Sequence, residues 1–193
     1  SLAGGQLILV RDDGLGVPGF DIYSSIGEEV RRALAQAGAA RLDDSLAEVL
    51  RIEAGRPLFG VDMNTETIPL EAGIESRAIS FSKGCYVGQE IVVRVVSRGH
   101  GRVARKLVGL VLDGLRVPRP GEPLFVDGHQ TGRVTSATWS PALNRPIALG
   151  YVHRDFAEPD HRVFVGGESG DTATVAQLPF VTPDSEHLVA CPR

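Results

Sequence analysis

The 193-residue chain contains only two cysteines, one methionine, one tryptophan and few aromatic residues. Each scarcity narrows what the protein can be. Cys85 and Cys191 are too few and too far apart in sequence to form a disulfide scaffold. There is no CxxC, HExxH or clustered His/Cys pattern. His100, His129, His153, His161 and His187 lie scattered, mostly beside glycines or charges, so no structural metal site is expected. No apolar run reaches the roughly 18–20 residues of a membrane span, and the longest, Leu107 to Leu112, is broken by Gly109 and suits a strand. The opening residues have no basic segment and no long apolar stretch, which argues against a secretion signal; a cytoplasmic location is expected. The chain does not begin with Met and runs almost at once into Leu7-Ile-Leu-Val10, so a fragment or processed chain is expected.

The net charge of −4 argues against wholesale nucleic-acid binding. Its distribution is uneven. Between Lys83 and Lys106, Glu90 is the only acid among Lys83, Arg94, Arg98, Arg102, Arg105 and Lys106. That run is either a solvated face or an anion-binding surface.

The order of signals along the chain gives an α+β reading. Leu7 to Val10 reads as a short buried strand and Phe20 to Tyr23 as a second. Ser25 with Glu28, and Ser45 with Glu48, form capping-box patterns ahead of two helices. The first has Ile26, Val30 and Leu34 at helical spacing and stops at Gly38; the second has Leu42, Leu46, Val49 and Leu50 and ends in Ala54-Gly-Arg-Pro57. Past Arg105 only short strands follow, near 106–112, 124–126, 131–138, 148–152, 162–165 and 172–177, separated by Gly, Asp, Asn and Pro. Such spacing predicts a small antiparallel barrel or sandwich. The expected division is 1–98 for an α/β unit and 99–193 for the barrel.

The densest special chemistry is Phe81-Ser-Lys-Gly-Cys-Tyr-Val-Gly-Gln-Glu90. Cys85 is either a small buried hydrophobe or a reactive thiol. Gly84 and Gly88 let the backbone turn or approach a ligand. Lys83 and the nearby arginines favour the thiolate, and lowering a thiol pKa from about 8.5 to about 7 raises the thiolate fraction at pH 7 roughly tenfold. Tyr86 can stack on a planar ring, and Gln89 presents donor and acceptor together; both suit a pterin or a partner backbone. No hydrolase triad is supported by His100, and the glycines around Cys85 lack the Gly-Lys-Ser/Thr ending of a phosphate loop.

Lys83-Gly-Cys-Tyr-Val-Gly-Gln-Glu90 resembles the signature of the YgfZ-type folate-binding proteins. These are tRNA-modifying and iron–sulfur-cluster-related relatives of the glycine cleavage T-protein, an aminomethyltransferase. Arg51-Ile-Glu-Ala-Gly55, Asp62 and Pro69-Leu-Glu-Ala-Gly73 resemble segments shared by both groups. Gly132-Arg-Val-Thr-Ser136, Ser140-Pro-Ala-Leu143 and Ile147-Ala-Leu-Gly-Tyr-Val152 resemble the family's terminal barrel. The resemblance implies the C-terminal part of a three-lobed ring around a folate channel: an α/β folate-binding lobe, then a small antiparallel β-barrel. The chain would start inside the second lobe, leaving the tetrahydrofolate site incomplete.

Carried over by position, Arg51 and Arg77 are folate contacts, with Tyr86 and Gln89 beside them. The alternative for Arg51 is a buried ion pair with a carboxylate such as Glu53 or Glu71. In the leading reading Cys85 is a reactive thiolate or a transient cluster ligand assisted by Lys83 and Arg94, and the partners are iron–sulfur enzymes or cluster-assembly proteins. The first alternative is a tetrahydrofolate-dependent aminomethyltransferase, with the basic run docking an aminomethyl-lipoyl carrier. Against it, Val17-Pro-Gly19 stands where the T-protein has a Gly-Glu pair whose glutamate touches the pterin. A second alternative is a non-catalytic binding module.

Overall fold

The computed structural model describes residues 5–80, 83–84, 88, 90, 102–167 and 169–182. The expected division at 98/99 falls outside the described residues.

Among the described residues, the first part includes a hairpin and three helices. Strands β1 (Leu7–Asp12) and β2 (Gly19–Ser24) pair antiparallel, with Leu9 opposite Ile22 and Val10 opposite Asp21. Both are strands, as the sequence predicts, but the expected burial of Leu7 to Val10 does not hold: Leu9 is 62% exposed, and Phe20 on the opposite strand is 67% exposed. Among the described residues the two-stranded sheet has no third strand and little packed on its faces, so its apolar residues are exposed.

Helix α1 is Gly27–Gln36 and α2 is Asp44–Glu53; a short helix α3, Glu75–Ala78, carried no clear sequence signal. Neither capping box forms. On α1 the cap position is Ile26, without a side-chain cap, while Ser24 Oγ accepts the Ile26 N–H at 2.9 Å. On α2 the cap is Asp43, which accepts from the Leu46 N–H at 2.9 Å and from Ser45 Oγ at 2.6 Å. A carboxylate one turn ahead of the donors is a stronger N-cap than the serine. Glu48 is thereby free to pair with Arg51 instead. Leu42 and Leu46 are exposed, and the buried end of α2 is Arg51-Ile-Glu53.

The second part is a closed antiparallel barrel of six strands: β3 (Arg105–Leu112), β4 (Pro123–Val126), β5 (His129–Ser140), β6 (Arg145–His153), β7 (Arg162–Val165) and β8 (Asp171–Ala176). Their order around the barrel is β3-β6-β5-β4-β7-β8, closing through the β8–β3 pairing. Closure removes the edge strands that an open sheet of this size would expose. The β4–β5 turn is Asp127-Gly128, both at positive φ, the conformation a tight hairpin demands.

Alternate residues fill the barrel: Leu110, Leu112, Leu124, Val134, Val152, Val163 and Val175 form one core. Strand β6 is buried along both faces. Its inward residues include Ala148 and Val152, while outward Ile147 and Leu149 form a second cluster with Ile52 of α2, flanked by Leu178 and Phe180. Double-sided burial explains why β6 reads as an unbroken apolar run rather than an alternation. Gly109 on β3 makes room for this layer, since a Cβ there would lie 2.8 Å from Phe180 and 2.9 Å from Leu178. Each fully buried Ile or Leu contributes about 1.5–3 kcal/mol of transfer free energy.

Candidate functional site

The Arg-Ile-Glu triplet that ends α2 is what fastens this helix to the barrel. Ile52 is completely buried against Ile147 and Leu149. Glu53 accepts from Ser140 Oγ at 2.5 Å, and its backbone carbonyl accepts from the Phe180 and Val181 N–H groups at 2.9 and 3.2 Å. Arg51 turns toward the loop after the helix. Gly55 then takes φ +65, and a Cβ there would lie 2.9 Å from Leu178, so the position requires glycine twice over.

All five N–H donors of Arg51 are engaged. Nε and Nη2 donate to the two oxygens of Glu48, Nη1 donates to Asp62 Oδ2 at 2.8 Å and to the Arg56 carbonyl, and Nη2 also donates to Ser136 Oγ at 2.9 Å. The structure therefore shows a buried ion pair, but its carboxylates are Glu48 and Asp62. Glu53 and Glu71, the partners expected from the sequence, bond instead to Ser140 and to Arg105. Burial works against the Arg51 charge, yet Glu48 and Asp62 outweigh it and hold its pKa above the ordinary arginine value.

Asp62 is equally saturated. Oδ2 accepts from Arg51 and from the Leu58 N–H at 2.9 Å, while Oδ1 accepts from Thr135 at 2.5 Å and Ser136 at 2.7 Å. Adjacent strand residues normally face opposite ways. Here the β5–β6 register shifts between Val134 and Ser136, and this bulge lets consecutive hydroxyls reach one carboxylate. Helix α2, the 58–67 loop and the barrel wall meet at this knot.

Beside it opens a polar cleft of about 280 Å³ between the 60–67 loop and the outer barrel face, lined by Asp62, Asn64, Glu66, Arg105, Arg133 and Tyr151 among others. Arg133 is directly opposite Tyr151 across β5–β6. The Arg105 guanidinium lies 4.9 Å from the Tyr151 ring centre and pairs with Glu71 at 3.2 Å. Tyr151 is only 4% exposed, and its hydroxyl makes no hydrogen bond among the described residues. Thr67 sits beside the Tyr151 hydroxyl, while its own hydroxyl bonds to Asn64 Oδ1 at 3.1 Å. Burial pushes the Tyr151 hydroxyl up to about 12 against the downward pull of Arg105 and Thr67, so it is a neutral donor at physiological pH.

The other expected site residues are distributed as follows. Arg77 is half-exposed and pairs with Asp13 at 3.2 Å and Asp12 at 3.7 Å, in the loop between β1 and β2. Lys83 and Gly84 are exposed, and Gly88 has φ +87, a conformation that favours glycine. Cys85, Tyr86, Gln89 and Arg94 lie outside the described residues. In the basic run, Arg105 is paired with Glu71 and Lys106 lies 3.9 Å from Glu158, so part of its charge is locally compensated. No group of three or more potential ligands forms a metal site among the described residues. Sequence reasoning gave Glu48 only a capping role and placed Arg133, Thr135, Ser136 and Tyr151 in the barrel without a part in a site. Strand β5 is polar along much of its length, so the Thr135-Ser136 pair gave no distinct signal.

A closed six-stranded barrel with a mixed helix–strand unit keyed to its wall defines the class of protein. Residues 105–182 match the family described as the glycine cleavage T-protein C-terminal barrel domain. Curated relatives named aminomethyltransferase include one from Rubrobacter xylanophilus, 39% identical over 92% of this chain and 47% of its own length. Another, from Streptomyces avermitilis, is 37% identical over 82% of this chain and 44% of its own. The solved glycine cleavage system aminomethyltransferase T from Bartonella henselae superposes with a TM-score of 0.78 at 26% identity, over 90% of this chain and 49% of that one. The chain is glycine cleavage T-protein-like through both its parts, and it spans about half the length of the curated relatives it matches.

Proposed function

We infer that this chain is part of a tetrahydrofolate-dependent aminomethyl-transfer protein of the glycine cleavage T-protein kind. The observation that carries this reading is the continuity of the match. Relatives named aminomethyltransferase align through both the mixed unit and the barrel, at 37% and 39% identity over 82% and 92% of the chain. Bound tetrahydrofolate would supply a nitrogen able to accept a one-carbon unit from an aminomethylated carrier. In this reading Arg51 is first a positioning residue, since every donor it has is already taken. It would contact folate only by releasing Glu48, the half-exposed one of its two carboxylate partners. The surface around Lys83 and Arg102 would meet an acidic carrier protein. A cytoplasmic setting is consistent with this role.

A second reading is favoured by one specific observation, the string Lys83-Gly-Cys-Tyr-Val-Gly-Gln-Glu90, together with Val17-Pro-Gly19 in place of an acidic pterin contact. It makes the protein a folate-binding accessory to iron–sulfur enzymes and tRNA modification, with Cys85 as its working thiol. Assaying the full-length protein separates the two. Formation of methylenetetrahydrofolate from an aminomethylated lipoyl carrier, retained in Cys85→Ala, supports the transferase. No turnover, with Cys85→Ala abolishing rescue of iron–sulfur enzyme activity in a deletion host, overturns it in favour of the accessory role.

A further inference from the structure

We propose that the cleft between the 60–67 loop and strands β5 and β6 binds a small carboxylate, gripped by Arg133 and the Tyr151 hydroxyl with Arg105 at its side. The Arg133 side chain makes no hydrogen bond or ion pair among the described residues. Its partner across the strand pair, Tyr151, is 4% exposed and carries a hydroxyl atom that is buried and unbonded. A buried hydroxyl without a partner costs stability that a structural tyrosine could avoid as phenylalanine. Both side chains project from the same barrel face, as directly opposed residues do. Arg105 reaches the same face from β3, and Glu71 occupies its Nε, leaving the terminal amino groups for a ligand.

The Asp62 carboxylate is already committed, accepting four hydrogen bonds from Arg51, Leu58, Thr135 and Ser136. Glu66 is the one other acid lining the cleft, and it is exposed. Against that single carboxylate the cleft sets two guanidinium groups and the Tyr151 hydroxyl, a balance that favours an anion. A planar guanidinium matches a carboxylate in bidentate geometry. Glu66 and Glu71 offset the two arginines, so the local field is modest and suits one charge on a planar carboxylate group better than two charges concentrated on one phosphate. The cavity volume of about 280 Å³ is at the small end of ligand sites, room for a short acid or the end of a longer one.

Titration calorimetry of the full chain near neutral pH, with glutarate and with inorganic phosphate as separate probes, tests the proposal. Glutarate is expected to saturate below about 10 mM and to bind at least about tenfold tighter than phosphate. Arg133→Gln and Tyr151→Phe are each expected to weaken glutarate by about tenfold or more, while both variants keep the wild-type unfolding temperature within a few degrees. The unfolding temperature confirms that the variants are folded, so a loss of binding reads the site itself. Absence of saturation, equal binding by Arg133→Gln, or phosphate binding at least as tight as glutarate would each overturn the assignment.

Discussion

Arg51 and Arg133 are two arginines beside the same barrel wall, and they could hardly be used more differently. Arg51 is buried and spends five donors on two carboxylates, a carbonyl and a hydroxyl. Arg133 is exposed and has no such partner among the described residues. The β5 bulge separates them. On one side of it Thr135 and Ser136 turn together to Asp62 and complete the knot; on the other Arg133 faces Tyr151 across an open cleft. The difference teaches that an arginine in a recognisable motif can be architectural, while an unremarked one nearby is chemically available.

The comparison is broken most forcefully at Arg51. Arg51→Met leaves Asp62 buried with only neutral donors, and removing one member of a buried pair costs about 3–5 kcal/mol. Urea unfolding is expected to show a loss in that range. The double variant with Asp62→Leu should recover part of it, because the orphaned charge goes as well. A loss below about 1 kcal/mol would mean that the knot does not hold the helix to the barrel. Ile52→Ala comes next. The side chain is fully buried against Ile147 and Leu149, and truncation to alanine is expected to cost about 2–4 kcal/mol by the same measurement.

These two neighbours also show how much was legible in the sequence. The barrel was readable because its strands are short, its breaks are Gly, Asp and Pro, and closure imposes regular alternation; the predicted 162–165 strand coincides with β7. The Arg51-x-Glu53 motif was visible, but its role was not. Helical spacing puts Arg51 and Glu53 on different sides of α2, and only the tertiary fold shows that the barrel wall wraps far enough to meet both. Strand β1 was read as buried because Leu7 to Val10 is apolar. Exposure depends on what lies over a strand, and nothing within the strand encodes that. On α2 the capping box failed for a local reason: Asp43 caps the Leu46 N–H and starts the helix two residues earlier, so Ser45 falls inside its first turn.

Tyr151 sharpens the comparison through pH. Its folded hydroxyl is pushed up to about 12 by burial, above the ordinary value of 10.0. An unfolded tyrosine ionises first, so the contribution is fully present below about pH 10 and is lost as the pH rises to about 12. The two-unit gap corresponds to at most about 3 kcal/mol. Alkaline unfolding curves of wild type and Tyr151→Phe are expected to diverge across that window, with the variant losing less. Parallel curves would mean that the hydroxyl is solvated in solution. At neutral pH the variant is expected to match wild type or exceed it by up to about 1 kcal/mol, since a buried unpaired group has been removed.

The smallest expected effect is at Arg133, and its smallness is informative. The side chain is exposed and forms no ion pair among the described residues, so Arg133→Gln gives up no packing and no partner. Surface substitutions of this sort change stability by less than about 0.5 kcal/mol. The mutated side chain still sits opposite Tyr151, and glutamine tolerates a strand well enough to keep the β5–β6 register. Urea unfolding of the two proteins should therefore superpose. A loss of 2 kcal/mol or more, comparable to a core truncation, would put Arg133 in the same architectural class as Arg51. The contrast between a spent arginine and a spare one would then collapse, and with it the reason for reading the cleft as a place where something binds.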